Sequence, residues 1–186
     1  MLSKYSFLII LSALACFPQV IFADAMQERR ILISASIFPR IVAVDQEITK
    51  KVDKSGAVRL GLLYGSNKNV AEKIKNIILR KVKSIAGQKV VVQLISTEKV
   101  NLEQGEKLSG IFLVQPVSNK LLTQVSTYAN KHKVLSFSPF EGDIERGMMA
   151  SIFIGAKIQP YFNIRRIKNA KLILKPALLK VSKIYE

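Results

Sequence analysis

The sequence predicts an α/β fold, with a mostly parallel central sheet flanked by helices and a β-hairpin and further helices at the C terminus. Short, wholly apolar or β-branched runs alternate with amphipathic stretches, which is the pattern of strand–helix–strand crossovers. The chain has 186 residues and is 49% hydrophobic, enough for one core without disulfides or metals. We therefore expect a single α/β domain over residues 26–186, preceded by a leader.

Residues 1–25 have the composition of a secretory signal peptide. A basic start precedes an apolar run from Tyr5 to Phe22, and Ala23-Asp24-Ala25 fits a small-residue cleavage site. One alternative is an uncleaved membrane anchor, which Pro18 and the small-residue exit disfavour. A second alternative is lipoprotein processing at Cys16, whose preceding residues fit that pattern poorly. The leader predicts a periplasmic protein, secreted through the inner membrane.

The formal net charge of the chain is +16, from 29 basic and 13 acidic side chains. The leader holds one lysine and one aspartate, so its removal leaves this charge unchanged. The lysines are spread along the chain and no nucleic-acid-binding motif interleaves them, so we expect no nucleic acid partner. The charge indicates either a solvated basic surface or attraction to an acidic protein or an anionic envelope surface.

The first half of the mature chain predicts a helix, a strand and a second helix. Apolar spacing over residues 26–50 fits a helix that Pro39 kinks or ends. Val58–Tyr64 is almost wholly apolar, as in a strand covered on both faces. After Gly65-Ser66-Asn67 an apolar stripe at helical spacing predicts a helix, which Gly87 is expected to end.

The following segment repeats this alternation. Lys89–Ser96 and Gly110–Gln115 have the composition of buried strands. Ser118 is positioned to cap a helix over residues 119–131, and Val134–Phe137 returns as a strand. Such alternation favours right-handed crossovers and a mostly parallel sheet.

The C-terminal part predicts a loop, a hairpin and helices. Residues 138–147 are a loop by their proline, glycine and acidic content. Met149–Ile154 and Lys157–Asn163 predict a hairpin with Gly155 at a positive φ. The basic tail is expected to form two helical pieces divided near Pro176.

The inventory of reactive side chains predicts no enzyme, no metal and no cofactor. His132 and Cys16 are single, which excludes a mature Cys/His nucleophile pair and a zinc site with several such ligands. Glu141, Asp143 and Glu145 form the densest acidic cluster, which we interpret as a solvated turn rather than a calcium site.

One candidate ligand site follows the first strand. Ser66 and Asn67 lie between a predicted parallel strand and a helix, where free N–H groups attract anions. Ligands of open α/β sheets bind at the carboxyl ends of the strands. Ordinary helix capping by either residue is the simpler interpretation, because the glycine spacing of nucleotide-binding loops is missing.

A series of motifs follows one order along the mature chain. The series consists of ISASIFPRIVAVD in the first helix, of VRLGLLYG, GQKVVVQLIS and GIFLVQP in the three strands, of Arg146–Phe153, and of Phe162-Asn163-Ile164, Ala170, Leu172 and Leu178-Leu179. This order resembles that of the YfiR family of periplasmic regulatory proteins. Lys171 replaces a family glycine, and the family's cysteines have no counterpart. The resemblance implies a non-catalytic α/β regulator that binds the periplasmic part of a membrane signalling protein, such as a diguanylate cyclase that it represses.

We therefore expect a periplasmic regulatory or adaptor protein that binds the extracytoplasmic part of a membrane sensor. Aromatic, methionine and arginine side chains are typical interface residues. The candidate contact residues are Phe137, Phe140, Met148, Met149, Arg165 and Arg166. The alternatives are a small-ligand receptor that uses Ser66 and Asn67, and a structural component of an envelope complex. A homo-oligomer is compatible with each.

Overall fold

A computed structural model describes the backbone of residues 17–186 and the side chains of residues 25–98 and 100–186. Most of the predicted leader, including Cys16, lies outside these residues, so the signal peptide and the lipoprotein alternative stay predictions. The first described helix runs without interruption through the expected cleavage site at Ala23–Ala25.

Eight strands form one sheet in the order β2-β3-β1-β4-β5-β6-β7-β8. The neighbours β3, β1, β4, β5 and β6 are parallel, whereas β2–β3 and β6–β7 are antiparallel. The mixed α/β class with a mostly parallel sheet and a C-terminal hairpin is therefore confirmed. The strands are β1 (Val58–Tyr64), β2 (Ser84–Ile85), β3 (Gln88–Ser96), β4 (Gly110–Leu113), β5 (Leu135–Phe137), β6 (Ala150–Ile154), β7 (Ile158–Asn163) and β8 (Lys183–Tyr185).

Five described helices connect or follow these strands. They are α1 (Phe17–Val42), α2 (Lys68–Lys81), α3 (Asn119–His132), α4 (Ile164–Asn169) and α5 (Pro176–Lys180). The predicted cap of α3 is confirmed, since the Ser118 hydroxyl accepts from the Leu121 N–H at 3.3 Å. Short 3-10 turns at Ile48–Lys51 and Thr97–Lys99 complete the connections.

Three phenylalanines join α1 to the centre of the sheet. The ring of Phe38 lies 5.3 Å from that of Phe112 and 5.7 Å from that of Phe137. Gly110 leaves room for this contact, because a Cβ there would meet Val42 at 2.9 Å and Phe38 at 3.3 Å. The close approach of helix and strand thus explains why β4 begins with glycine.

Two predicted boundaries are wrong. Helix α1 continues past Pro39 but ends at Val42, well before residue 50. Helix α2 ends at Lys81, and Gly87 lies instead in the β2–β3 turn with φ +79°, next to Ala86 with φ +49°. Positive φ at both positions is what a two-residue hairpin turn requires.

The C-terminal hairpin and tail also differ in part from the prediction. Gly155 is not among the glycines with positive φ, and a Cβ there would come within 2.9 Å of the Phe153 ring. The tail forms the two helices expected around Pro176, but Lys183–Tyr185 then pair in parallel with β7 as an edge strand. This pairing partner is remote in sequence, so local periodicity could not indicate it.

The strand order places a topological switch point between β1 and β4. From β1 the chain crosses to β3 on one side and then returns to β4 on the other. The carboxyl ends of these strands, together with those of β5 and β6, form the edge where ligands of open α/β sheets bind.

Candidate functional site

The structure places the predicted Ser66 and Asn67 at the switch point, but their neighbourhood is closed by the chain itself. The Gln115 Oε1 atom accepts from the Gly65 N–H at 2.6 Å and from the Asn67 N–H at 3.4 Å. The Asn67 side chain in turn caps α2 by accepting from the Val70 N–H at 3.1 Å. The geometry therefore supports helix capping, because a side-chain oxygen already occupies the place of an anion.

Three of the predicted partner-contact residues are buried, which corrects their assignment to a surface. Phe137, Met148 and Met149 are almost fully inaccessible within the hydrophobic core. Aromatic and methionine side chains suit a core as well as an interface, and the sequence does not distinguish the two.

Of the other three partner-contact residues, Phe140 also belongs to the buried core, and only the two arginines are more accessible. Phe140 is 8% exposed and lines a surface cleft described below. Arg165 is exposed on α4, whereas Arg166 is half-buried. A Cβ on Gly147 would come within 3.0 Å of the Arg166 guanidinium, so this arginine packs on the loop after β5.

That loop, residues 138–147, is not the solvated turn that its acidic residues predict. The Asp143 side chain is fully buried, where it accepts hydrogen bonds from the Ser138 hydroxyl and from Arg146. Glu141 and Glu145 do face solvent. One carboxylate therefore anchors the loop, and this anchor fixes the position of Arg146.

The loop forms one wall of what we call the carboxyl-edge cleft, a cavity of about 500 Å³. The rest of the cleft is formed by α1 from Met26 to Arg30, by Pro116 after β4 and by Ile154 at the end of β6. The cleft is lined by Met26, Gln27, Arg30, Pro116, Phe140, Glu141, Arg146 and Ile154. It thus combines two guanidinium groups with an apolar wall.

Arg30 is the more deeply placed of the two cations. Its Nη2 donates to the Ile152 carbonyl at 2.7 Å, its Nε to the Pro139 carbonyl, and its Nη1 contacts the Glu141 carboxylate at 3.2 Å. The Arg30 side chain is 15% exposed, whereas that of Glu141 is 86% exposed. Burial lowers the pKa of Arg30 and the charge of Glu141 raises it, although an arginine remains protonated at neutral pH.

Arg146 completes the charged side of the cleft. Its Nη1 donates to the Asn119 Oδ1 atom at 2.8 Å and its Nη2 to Asp143. A guanidinium carries five N–H donors. The contacts of the described residues occupy three donors at Arg30 and two at Arg146, so both retain donors that an anion could use.

Sequence reasoning did not assign Arg30 or Arg146 to a ligand site. Arg30 has no local signal, because it lies on a helix and meets residues 109 and 122 positions away. Arg146 lies at the end of the loop that composition predicts over residues 138–147. Its place in a loop that follows a predicted strand is the one sequence signal for a ligand contact.

Two features are absent from the described residues, a metal-binding cluster and a membrane-spanning helix. Among these residues no group of three or more His, Cys, Asp or Glu side chains is arranged to hold a metal ion. None of the helices between residues 17 and 186 combines the length and apolar character needed to cross a membrane.

No protein-family model matches the sequence, and no curated protein is significantly similar to it. Among the solved structures that are similar, all three described below have low sequence identity to this chain. The ABC domain from Streptococcus pneumonia, in complex with L-Trp, is 14% identical with a TM-score of 0.48, covering 78% of this chain and 62% of that one. A substrate-binding protein with adhesive properties from Clostridium difficile is 15% identical with a TM-score of 0.44, covering 70% of this chain and 55% of that one. A conserved domain protein from Vibrio cholerae is 14% identical with a TM-score of 0.47, covering 75% of this chain and 58% of that one. The chain thus spans between 55% and 62% of the length of these structures.

Proposed function

We propose that this chain is an extracytoplasmic, non-catalytic binding protein whose carboxyl-edge cleft recognises a small anion with an apolar body. The observation that carries the proposal is the convergence of Arg30 and Arg146 on this cleft, each with unused N–H donors, beside Phe140. The ligand site of the receptor hypothesis therefore moves away from Ser66 and Asn67.

Burial of Arg30 explains why an anion would be favoured. Burial of a cation costs free energy because the cation loses its hydration. An anion bound next to the guanidinium group offsets this cost. The present counterion of Arg30 is the carboxylate of Glu141 at 3.2 Å, which is 86% exposed, so solvent screens this ion pair and weakens it. A carboxylate ligand held between both arginines would displace Glu141 at small cost.

Benzoate is a suitable probe, because it joins a carboxylate to an aromatic body. The full chain, purified after export, is titrated with benzoate by calorimetry at low ionic strength. Arg146→Gln removes a charge-assisted bond and is expected to weaken binding about ten-fold or more. Glu141→Gln removes the internal competitor and is expected to tighten it.

Arg165→Gln is the matched control, because Arg165 is an exposed arginine outside the cleft. It loses the same charge and should bind benzoate like the wild type. Absence of benzoate binding, or equal weakening by Arg146→Gln and Arg165→Gln, would overturn the proposal.

A second candidate function is an adaptor that docks on a membrane signalling protein, as the resemblance to the YfiR family implies. The observation that favours it is an apolar strip on the hairpin, where Ile154 and Ile158 are paired and each 45% exposed. Val181 and Ile184 are also exposed beside this hairpin. Lysines interspersed with them would suit an acidic partner or an anionic envelope surface.

The adaptor proposal is tested by purifying the tagged protein from membranes with its partner. Ile158→Lys is expected to lose a membrane protein that the wild type retains in stoichiometric amount. Ile173→Lys changes an isoleucine that is 49% exposed elsewhere and should retain it. No retained membrane protein, or equal behaviour of the two variants, would count against an adaptor.

A further inference from the structure

A second cavity, which we call the hairpin groove, lies between the turn after β5 and the strands β6, β7 and β8. Its volume is about 310 Å³. Strand register places Ser151 of β6 opposite Tyr161 of β7, and Tyr161 opposite Lys183 of β8. Phe153 and Glu145 complete the part of the wall that matters here.

The Lys183 ammonium group lies against the aromatic wall of this groove. Its Nζ atom is 3.5 Å from the centroid of the Phe153 ring and 5.4 Å from that of the Tyr161 ring. The faces of aromatic rings carry negative partial charge and attract ammonium groups at such distances. The groove therefore already accommodates an alkylammonium group.

The groove also offers oxygen acceptors to an ammonium group. Glu145 is exposed, and its Oε1 atom lies 3.4 Å from the Tyr161 hydroxyl, with no ion pair to a described cation. The Ser151 hydroxyl is buried, with the residue 1% exposed, and has no hydrogen-bond partner among the described residues. A buried hydroxyl without a partner is costly, so a ligand atom that bonds to the Ser151 hydroxyl would remove that cost.

Arg30 lines the same groove, but its charge is paired with Glu141. The remaining local charge comes from Glu145 and from Lys183 itself. Removal of Lys183 would thus leave a groove lined by aromatic rings and by the Glu145 carboxylate, with Arg30 and its counterion Glu141 at the side that it shares with the carboxyl-edge cleft.

We infer that the hairpin groove is a binding site for a primary alkylammonium group, and that Lys183 occupies it as an internal ligand. β8 is an exposed edge strand that pairs with β7 over three residues, so it can separate at low cost. An external ammonium group competes with Lys183. Its apparent affinity is therefore proportional to the fraction of molecules in which Lys183 has left the groove. The two cavities share Arg30, Phe140, Glu141 and Ile154, whereas Lys183 and Ser151 line only the hairpin groove, so substitutions at these two positions test this inference separately from the proposed anion function.

Lysine side chains and free diamines both supply this chemistry, and two probes distinguish them. Cadaverine represents a free diamine, and Nα-acetyl-lysine methyl amide represents a lysine side chain within a peptide. Binding of both indicates that a peptide lysine fits, and binding of cadaverine alone indicates a small amine. Glutarate, a dianion of similar length, should not bind in the groove.

The full chain is titrated by calorimetry or NMR. Lys183→Ala should bind cadaverine about two- to five-fold more tightly than the wild type, the effect expected for losing one exposed cation–π competitor. Lys180→Ala is the matched control, since it removes an exposed lysine at the end of α5. Its affinity should equal that of the wild type.

Within the Lys183→Ala background, Ser151→Ala and Glu145→Gln should each weaken cadaverine binding. Ser151→Ala should leave the thermal unfolding midpoint unchanged or raised, because it removes a buried polar atom without a partner. Absence of binding to Lys183→Ala, or equal affinities of the Lys183→Ala and Lys180→Ala variants, would overturn the inference. Benzoate titration of Lys183→Ala separates this result from a failure of the carboxyl-edge cleft.

Discussion

Replacement of Asp143 by alanine should lower the free energy of unfolding by about 2–4 kcal/mol. The Asp143 carboxylate is buried and binds the Ser138 hydroxyl, which is itself fully buried. Loss of the carboxylate leaves the Ser138 O–H without an acceptor, at a cost of about 1–3 kcal/mol, although the hydroxyl oxygen still accepts from the Phe140 N–H. Arg146 is 40% exposed and stays hydrated, so the loss of its ion pair adds only about 1 kcal/mol.

Urea denaturation followed by far-ultraviolet circular dichroism measures this change, since the chain has no tryptophan. Asp143→Asn keeps one acceptor oxygen for Ser138 and should lose about half as much. Glu141→Ala, in the same loop, removes an exposed carboxylate and should cost less than about 1 kcal/mol. Equal losses for Asp143→Ala and Glu141→Ala would refute the reasoning and restore the interpretation of the loop as a solvated turn.

Three further outcomes are expected. Burial by itself raises the pKa of Asp53, but hydrogen bonds from Ser55, Ala57 and Arg59 outweigh it and lower the pKa from 3.8 to about 2. The folded state therefore gains about 2 kcal/mol of stability above pH 4, and this gain should be lost as the pH falls from 4 to 2. Urea titrations across this range should show that pH dependence in the wild type and not in Asp53→Asn. Gln115→Ala frees the N–H groups of Gly65 and Asn67, so inorganic phosphate should shift their NMR signals in the variant; equal shifts in the wild type would contradict closure by Gln115. Phe38→Ala empties the contact between α1 and the sheet and should cost about 3–5 kcal/mol in the same denaturation assay, whereas a loss under 1 kcal/mol would contradict that contact.

The elements that sequence reasoning located correctly are those whose signal is local. β1 coincides with the apolar run Val58–Tyr64, because a strand buried on both faces needs apolar side chains on each. The cap of α3 follows from a serine hydroxyl that reaches a backbone N–H three residues later. Alternation of such elements was enough to indicate the parallel sheet.

Of the elements that it missed, one depends on a partner remote in sequence and one on a strand of only two residues. β8 is a strand because β7 offers it hydrogen bonds, not because of its own composition. Gly87 was assigned to a helix end, whereas the pairing of β2 with β3 gives it a hairpin turn. The partner of β8 lies outside any window of neighbouring residues, whereas β2 is local but only two residues long, too short to show an alternating pattern.

The candidate site shows the same division. The sequence placed Ser66 and Asn67 at the carboxyl edge, but a side chain about 50 positions away closes that place, because Gln115 lies on the adjacent strand end. Phe137 suits a core and an interface equally well by composition, and only packing against Phe38 decided between them.

The sequence by itself determined the α/β class, the order of most elements and the basic charge, since these depend on local periodicity and composition. The tertiary structure decided which carboxylate is buried, which aromatic side chains are accessible, and that Arg30 and Arg146 line one cleft. The physical reason is that burial and ion pairing depend on the distances between remote segments, and chain folding fixes those distances only when the whole core packs.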